Sequence, residues 1–220
     1  MYNRRQVFAA ACLGMLLFGI VMTTLGAILP DVIARFGVGA AHAGSLLAIM
    51  SIGIMAGSML FGPIVDRYGF KGLLAACTLL IMLGLEGLAF GPSFAWLQVA
   101  SFMIGFGGGV INGGTNALVA DISEEGRSSG LSYLGIFFGL GAFGIPFAMG
   151  SLQPVLSPLA IIAIVGGLCL IPIAYFIIIP FPKPKQEQGF PIKQGVRLTR
   201  DGILILMGLM LFLQSGMEIA

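Results

Sequence analysis

Two pairs of polar side chains interrupt apolar runs at a spacing that puts each pair on one helix face. Asn112 and Asn116 are four residues apart with Thr115 beside them, and Gln214 and Glu218 repeat the spacing near the end of the chain. A carboxamide offers two donors and an acceptor, which suits a ligand carrying hydroxyl groups. Amides also hydrogen-bond between membrane helices, so the residues admit both uses. A carboxylate at membrane depth needs a partner, water or a proton, which makes Glu218 and Glu86 the candidates for proton coupling. For Glu86 a structural or interfacial role is the alternative. Covalent and metal chemistry find little here. His42 is the single histidine, and Cys12, Cys77 and Cys169 lie in apolar runs without metal-ligand spacing. No enzyme activity, metal or cofactor is expected. The glycines between Gly105 and Gly109 have no strand before them and no suitably placed acid after them, so they are not a phosphate loop.

The solvent around these polar atoms follows from composition. Of 220 residues, 9% are charged, against roughly 25% in a soluble domain. Hydrophobic residues make up 58%, and the mean hydropathy is +1.04. A soluble enzyme, a disordered chain and a nucleic-acid binder are excluded, and the lipid bilayer becomes the expected surroundings. A membrane helix needs about 20 mostly apolar residues. Six such runs occur, at 7–29, 43–65, 72–90, 96–119, 130–150 and 158–179, and a seventh starts near Gly202 and reaches Ala220. The breaks carry turn chemistry or charge: Pro30-Asp31, Asp66 to Gly69, Gly91-Pro92-Ser93, Asp121 to Arg127, Gln153-Pro154 and Phe181 to Pro184. Runs this long without alternation predict helices rather than strands. Gly53 and Gly57 form a small-xxx-small pair, which predicts close helix packing.

With the N-terminus inside, ten of the 11 Lys and Arg residues fall in cytoplasmic segments and only Arg35 faces out. Trp96, beside Phe94, then anchors at the outer interface. Spans one to three and four to six form two triplets of opposite orientation, the pattern of inverted repeats. The expected fold is therefore an all-α membrane protein of six transmembrane helices as two inverted three-helix repeats, plus the start of a seventh. Residues 1–181 form the six-helix unit, 182–201 a basic cytoplasmic linker and 202–220 the start of a second half. The rest of that half, a missing C-terminal partner of the same chain, is expected beyond Ala220.

The loop after the second span reads Gly62-Pro63-Ile64-Val65-Asp66-Arg67-Tyr68-Gly69-Phe70-Lys71-Gly72. It resembles the signature of the major facilitator superfamily between its second and third helices. Ile64 stands where leucine is common, and Phe70 where a basic residue is common. The resemblance implies a multi-pass inner-membrane transporter that moves a small-molecule substrate by alternating access. It also implies that Gly62, Asp66, Arg67, Gly69 and Lys71 form a conformational latch. In this reading Gly62 permits close helix contact and Gly69 a tight turn, while Asp66 caps a neighbouring helix or pairs with basic groups. Helices one, four, seven and ten would line the cavity. Two other family marks are missing: Ser101 stands where an arginine is frequent, and Ile145 separates Gly144 from Pro146 in the motif typical of antiporters. Drug/proton antiport is therefore disfavoured.

The segments Asn112 to Asp121 and Phe212 to Glu218 are similar to the fucose/glucose permease branch of sugar transporters. That similarity implies sugar symport with Asn112, Thr115, Asn116, Gln214 and Glu218 at the substrate. Asn112 stands where the branch often has a carboxylate, and an amide does not titrate. The alternatives are transport of other organic metabolites and a six-helix assembly module that transports nothing.

Overall fold

Backbone polar groups in lipid must be satisfied within the element that carries them, which restricts an apolar chain such as this one to helices. The computed structural model describes residues 2–122, 127–153 and 155–182. The chain separates into two units, Met1–Glu187 and Gln188–Ala220. The described residues all lie in the first. Gln214, Glu218 and nearly all of the expected linker lie outside them.

The described elements are α1 (Arg4–Phe36), α2 (Ala40–Tyr68), α3 (Phe70–Phe90), α4 (Phe94–Ile122), α5 (Arg127–Leu152), α6 (Pro158–Leu168) and α7 (Leu170–Ile178). By length and composition they supply six candidate membrane spans, with α6 and α7 together making the sixth. Two local expectations change. The break expected at Pro30 does not occur, and α1 continues to Phe36 with Pro30 inside it. A proline ring clashes with the carbonyl four residues earlier; here that residue is Gly26, around which a side chain would meet nothing within 4 Å. The sixth span, expected as one helix, is broken at Cys169, whose N–H turns back to Gly166 and Gly167. Pro172 cannot donate to Leu168, so the regular ladder has a missing rung at this point.

The loops are short. Gly69 alone joins α2 to α3, at φ 77° and ψ 173°, a region that is essentially restricted to glycine. Its expected role in a tight turn is met. The N-terminus of α1, the α2–α3 turn and the end of α4 lie at one end of the bundle, where Tyr175 of α7 also donates to the Gln6 carbonyl. Arg35, Phe36, His42 and Phe94 gather at the other: the Phe94 ring stands 4.6 Å from His42 and 6.3 Å from Phe36.

The most extensive helix contacts are α2 with α4 and α1 with α5. Exchanging the first three spans with the second three maps one contact onto the other, as inverted repeats require. Both contacts are backbone on backbone. A Cβ at Gly53 would stand 2.7 Å from the Phe102 carbonyl oxygen, and one at Gly141 would strike the Leu16 carbonyl. Ser58 adds a hydrogen bond from α2 to the Gly109 carbonyl of α4. The close packing expected of Gly53 and Gly57 is present and sets α2 against α4, which also packs on α1 and α3.

Candidate functional site

The direction in which each face of α4 points follows from its neighbours. Gly114 meets Leu74 of α3. Successive residues turn by about 100° around a helix, so Asn112 and Asn116, two residues before and after Gly114, each point about 160° away from it. Thr115 lies against α1, where a Cβ added to Gly14 would stand 2.5 Å from the threonine methyl. Gly109 and Gly113 meet Ile54 and Phe61 of α2. The two asparagines thus occupy the face of α4 that is turned from α3 and lies between α1 and α2. Both are half-buried.

Within this pair, the Asn116 amide nitrogen donates to the Asn112 backbone oxygen at 2.8 Å and to Asn112 Oδ1 at 3.0 Å. Thr115 is fully buried and its hydroxyl donates to the Ile111 carbonyl of its own helix. In this conformation the expected trio separates: two amides on an accessible face, and a threonine that packs α4 against α1. Thr23 and Thr24, also polar residues at membrane depth, donate in the same way to carbonyls one turn back in α1.

Residue types did not reveal the matching wall on α1. Exchanging the repeats carries the face of α4 between α1 and α2 onto the face of α1 between α4 and α5. Gly14, Phe18 and Val21 mark the α4 side of α1, and Gly19 marks the α5 side. The exposed residues between them are Met22 and Gly26, one turn apart. Met22 and Gly26 on α1 and Asn112 and Asn116 on α4 are thus accessible positions at different levels of the α1–α4 pair, and none of these four is charged. A helical projection anchored on Gly14 could have found Met22, but only once α4 was known to be the neighbour.

Glu86 is elsewhere. Its carboxylate lies over Gly166 of α6, where an added Cβ would come within 2.6 Å of Oε1. It sits one turn before the end of α3, and the next residue, Gly87, adjoins the exposed Trp96. It thus faces α6, apart from the amide pair on α4.

The cluster expected as a latch lies at the Arg4 end of the bundle. Asp66 is half-buried and caps neither α2 nor α3, whose shared cap is Gly69. The Arg67 guanidinium rests 5.3 Å from the Tyr68 ring centre, and Lys71 is exposed. No ion pair joins Asp66 to a base among the described residues. Gly62 does not make the close helix contact expected of it, since an added Cβ would meet nothing within 4 Å. The same end has a groove of about 640 Å³ between Asn3, Arg4, Arg5, Phe8 and Ile122, which none of the expected site residues lines.

The family model described as Major Facilitator Superfamily matches residues 11–219. Among curated proteins, the chain is 25% identical over 211 residues to the multi-drug resistance efflux pump PmrA of Streptococcus pneumoniae, covering 93% of this chain and 53% of that protein. It is 26% identical to the 4-hydroxybenzoate transporter PcaK of Pseudomonas aeruginosa, over 80% of this chain and 39% of that one. It is 24% identical to the D-xylose transporter of Levilactobacillus brevis, over 58% of this chain and 28% of that one. Thus the chain spans about half the length, or less, of these relatives. Among solved structures, the proton:xylose symporter XylE bound to 6-bromo-6-deoxy-D-glucose superimposes with a TM-score of 0.72 at 16% identity, covering 81% of this chain and 45% of that one. A bacterial homologue of the lysosomal transporter Spinster gives 0.63 at 16% identity, over 86% and 46%.

Proposed function

Because the chain belongs to the major facilitator superfamily, we propose that it supplies the N-terminal half of a secondary active transporter for a small neutral solute, with a sugar as the leading candidate. It would act by alternating access in the cell inner membrane, with its N-terminus in the cytoplasm. The observation that carries the substrate reading is the Asn112–Asn116 pair on the face of α4 turned from α3. Amides meet hydroxyl groups without charge, and among the described residues no arginine stands beside them to hold an anion. The ten-to-one distribution of basic residues supports the orientation.

In this reading residues 182–201 link the halves, and 202–220 begin the second half and bring Gln214 and Glu218 to the same solute. Glu218 is the preferred proton carrier, because Glu86 lies on another face. Gly62, Asp66, Arg67, Gly69 and Lys71 act as the conformational latch that weights one state of the cycle.

A second reading, transport of other organic metabolites, has its own support. Met22 exposes a flexible apolar side chain on α1, and the relatives are described variously as transporters of drugs, an aromatic acid and a pentose. D-xylose uptake by the full-length protein in a transporter-deficient host separates the two. Asn112→Ala should weaken uptake roughly five- to 150-fold, the effect of about 1–3 kcal/mol for a lost partner of a bound hydroxyl. Glu218→Gln should change the pH dependence of uptake. Unaltered sugar affinity in Asn112→Ala removes the sugar-contact reading, and an unaltered pH profile in Glu218→Gln removes its proton role.

A further inference from the structure

What the amide pair can bind depends on which of its atoms are already engaged. The Asn116 Nδ2 group donates to both the Asn112 backbone oxygen and Asn112 Oδ1, at 2.8 and 3.0 Å. Its two N–H groups are thereby both used. The two bonds also settle how each amide is turned. Reversing Asn116 would bring its oxygen against the Asn112 carbonyl oxygen, and reversing Asn112 would set nitrogen against nitrogen. Two groups remain without a partner among the described residues: the Asn112 Nδ2 group, a donor, and the Asn116 Oδ1 atom, an acceptor. Neither is sealed off, for no side-chain polar atom among the described residues is both buried and unpaired.

On the reading of this face as a cavity wall, we infer that the pair selects a solute group that is neutral and both donates and accepts, a hydroxyl or a carboxamide, and that it turns away carboxylates and ammonium groups. A hydroxyl accepts from Asn112 and donates to Asn116 in one placement, and a carboxamide does so with its two atoms. A carboxylate satisfies Asn112 but brings its charge towards the Asn116 oxygen. An ammonium group meets the reverse conflict at the Asn112 nitrogen. The residues that flank this face supply no remedy, since Gly14 of α1 and Ile54 and Phe61 of α2 carry no charge to offset an ion taken from water. The preference comes from the bond within the pair: two independent asparagines could each turn to suit an ion, and these two are turned by each other.

The test uses the purified full-length protein and two matched pairs of compounds, each at tens of millimolar: D-glucose with D-glucuronate, and nicotinamide with nicotinate. The readout is the shift in thermal unfolding midpoint. Stabilisation by D-glucose but not D-glucuronate supports both the amide-pair inference and the sugar reading. Stabilisation by nicotinamide alone supports the inference and removes the sugar reading. An anionic member that stabilises as strongly as its neutral partner overturns the inference, and so does the absence of any shift with all four compounds. Asn112→Asp keeps the acceptor for Asn116 but replaces the outward donor with charge. It should weaken the effective neutral compound roughly five- to 150-fold; retained affinity would also overturn the inference. If this variant fails to fold, the wild-type comparison decides.

Discussion

The Arg35 guanidinium, in the last turn of α1, donates to the Gly91 carbonyl oxygen across 2.9 Å, and its other arm reaches the Ala89 carbonyl at 3.2 Å. Both acceptors lie at the C-terminal end of α3, where unpaired carbonyls and the helix dipole favour a cation. One planar side chain thus joins the ends of two spans, and its plane lies over Phe36, 5.1 Å from the ring centre. Among the described residues Arg35 is also the one Lys or Arg at its end of the bundle.

Arg35→Ala should lower stability by about 1 kcal/mol, the value of a partly exposed charged bond at a helix end. Arg35→Lys should recover only part of this, because one ammonium does not reproduce a fork across two carbonyls. Thermal unfolding of the full-length protein reads both. Equal midpoints for wild type and Arg35→Ala would show that the clamp carries no stability.

Gly139 and Gly141 of α5 make a matched comparison. A methyl at Gly141 runs into the α1 backbone at Leu16, which no side-chain rotation relieves, whereas one at Gly139 meets nothing within 4 Å. Gly141→Ala should cost roughly 1–3 kcal/mol or prevent accumulation. Gly139→Ala should be neutral or gain up to about 1 kcal/mol from helix propensity. Purified yield and unfolding midpoint give the comparison, and similar behaviour of the two variants would count against the α1–α5 crossing.

Asp66 makes no ion pair among the described residues. Asp66→Ala in the full-length protein should slow transport while substrate binding stays within about twofold, an energy difference below 0.5 kcal/mol. Transport at the wild-type rate, with protein levels matched, would remove the latch assignment.

The proposed orientation puts residue 188 in the cytoplasm. With the three native cysteines replaced, Gln188→Cys should react with an impermeant thiol reagent only after the cells are opened. Labelling in intact cells would reverse the orientation.

Much of the fold was legible in the chain because a membrane span is a local property. Twenty or so apolar residues must form a helix wherever they occur in lipid, so all six spans could be read, with most ends off by a few residues and α1 running past Pro30 to Phe36. The single-residue turn at Gly69 and the close packing at Gly53 and Gly57 followed from residue type. The amide pair on one face of α4 was also readable, because four residues is about one helical turn. What only the tertiary structure decided is which neighbour each face meets. Thr115 stands beside Asn116 in sequence yet is buried against Gly14, Glu86 lies over Gly166, and Arg35 finds its acceptors in another helix. That Met22 lies on the open face of α1 became evident only when α4 and α5 were seen to flank that helix. Hydropathy assigns these helices to the membrane but is nearly blind to rotation about their axes. That rotation is set where glycines let two backbones touch, by contacts between residues far apart in the chain.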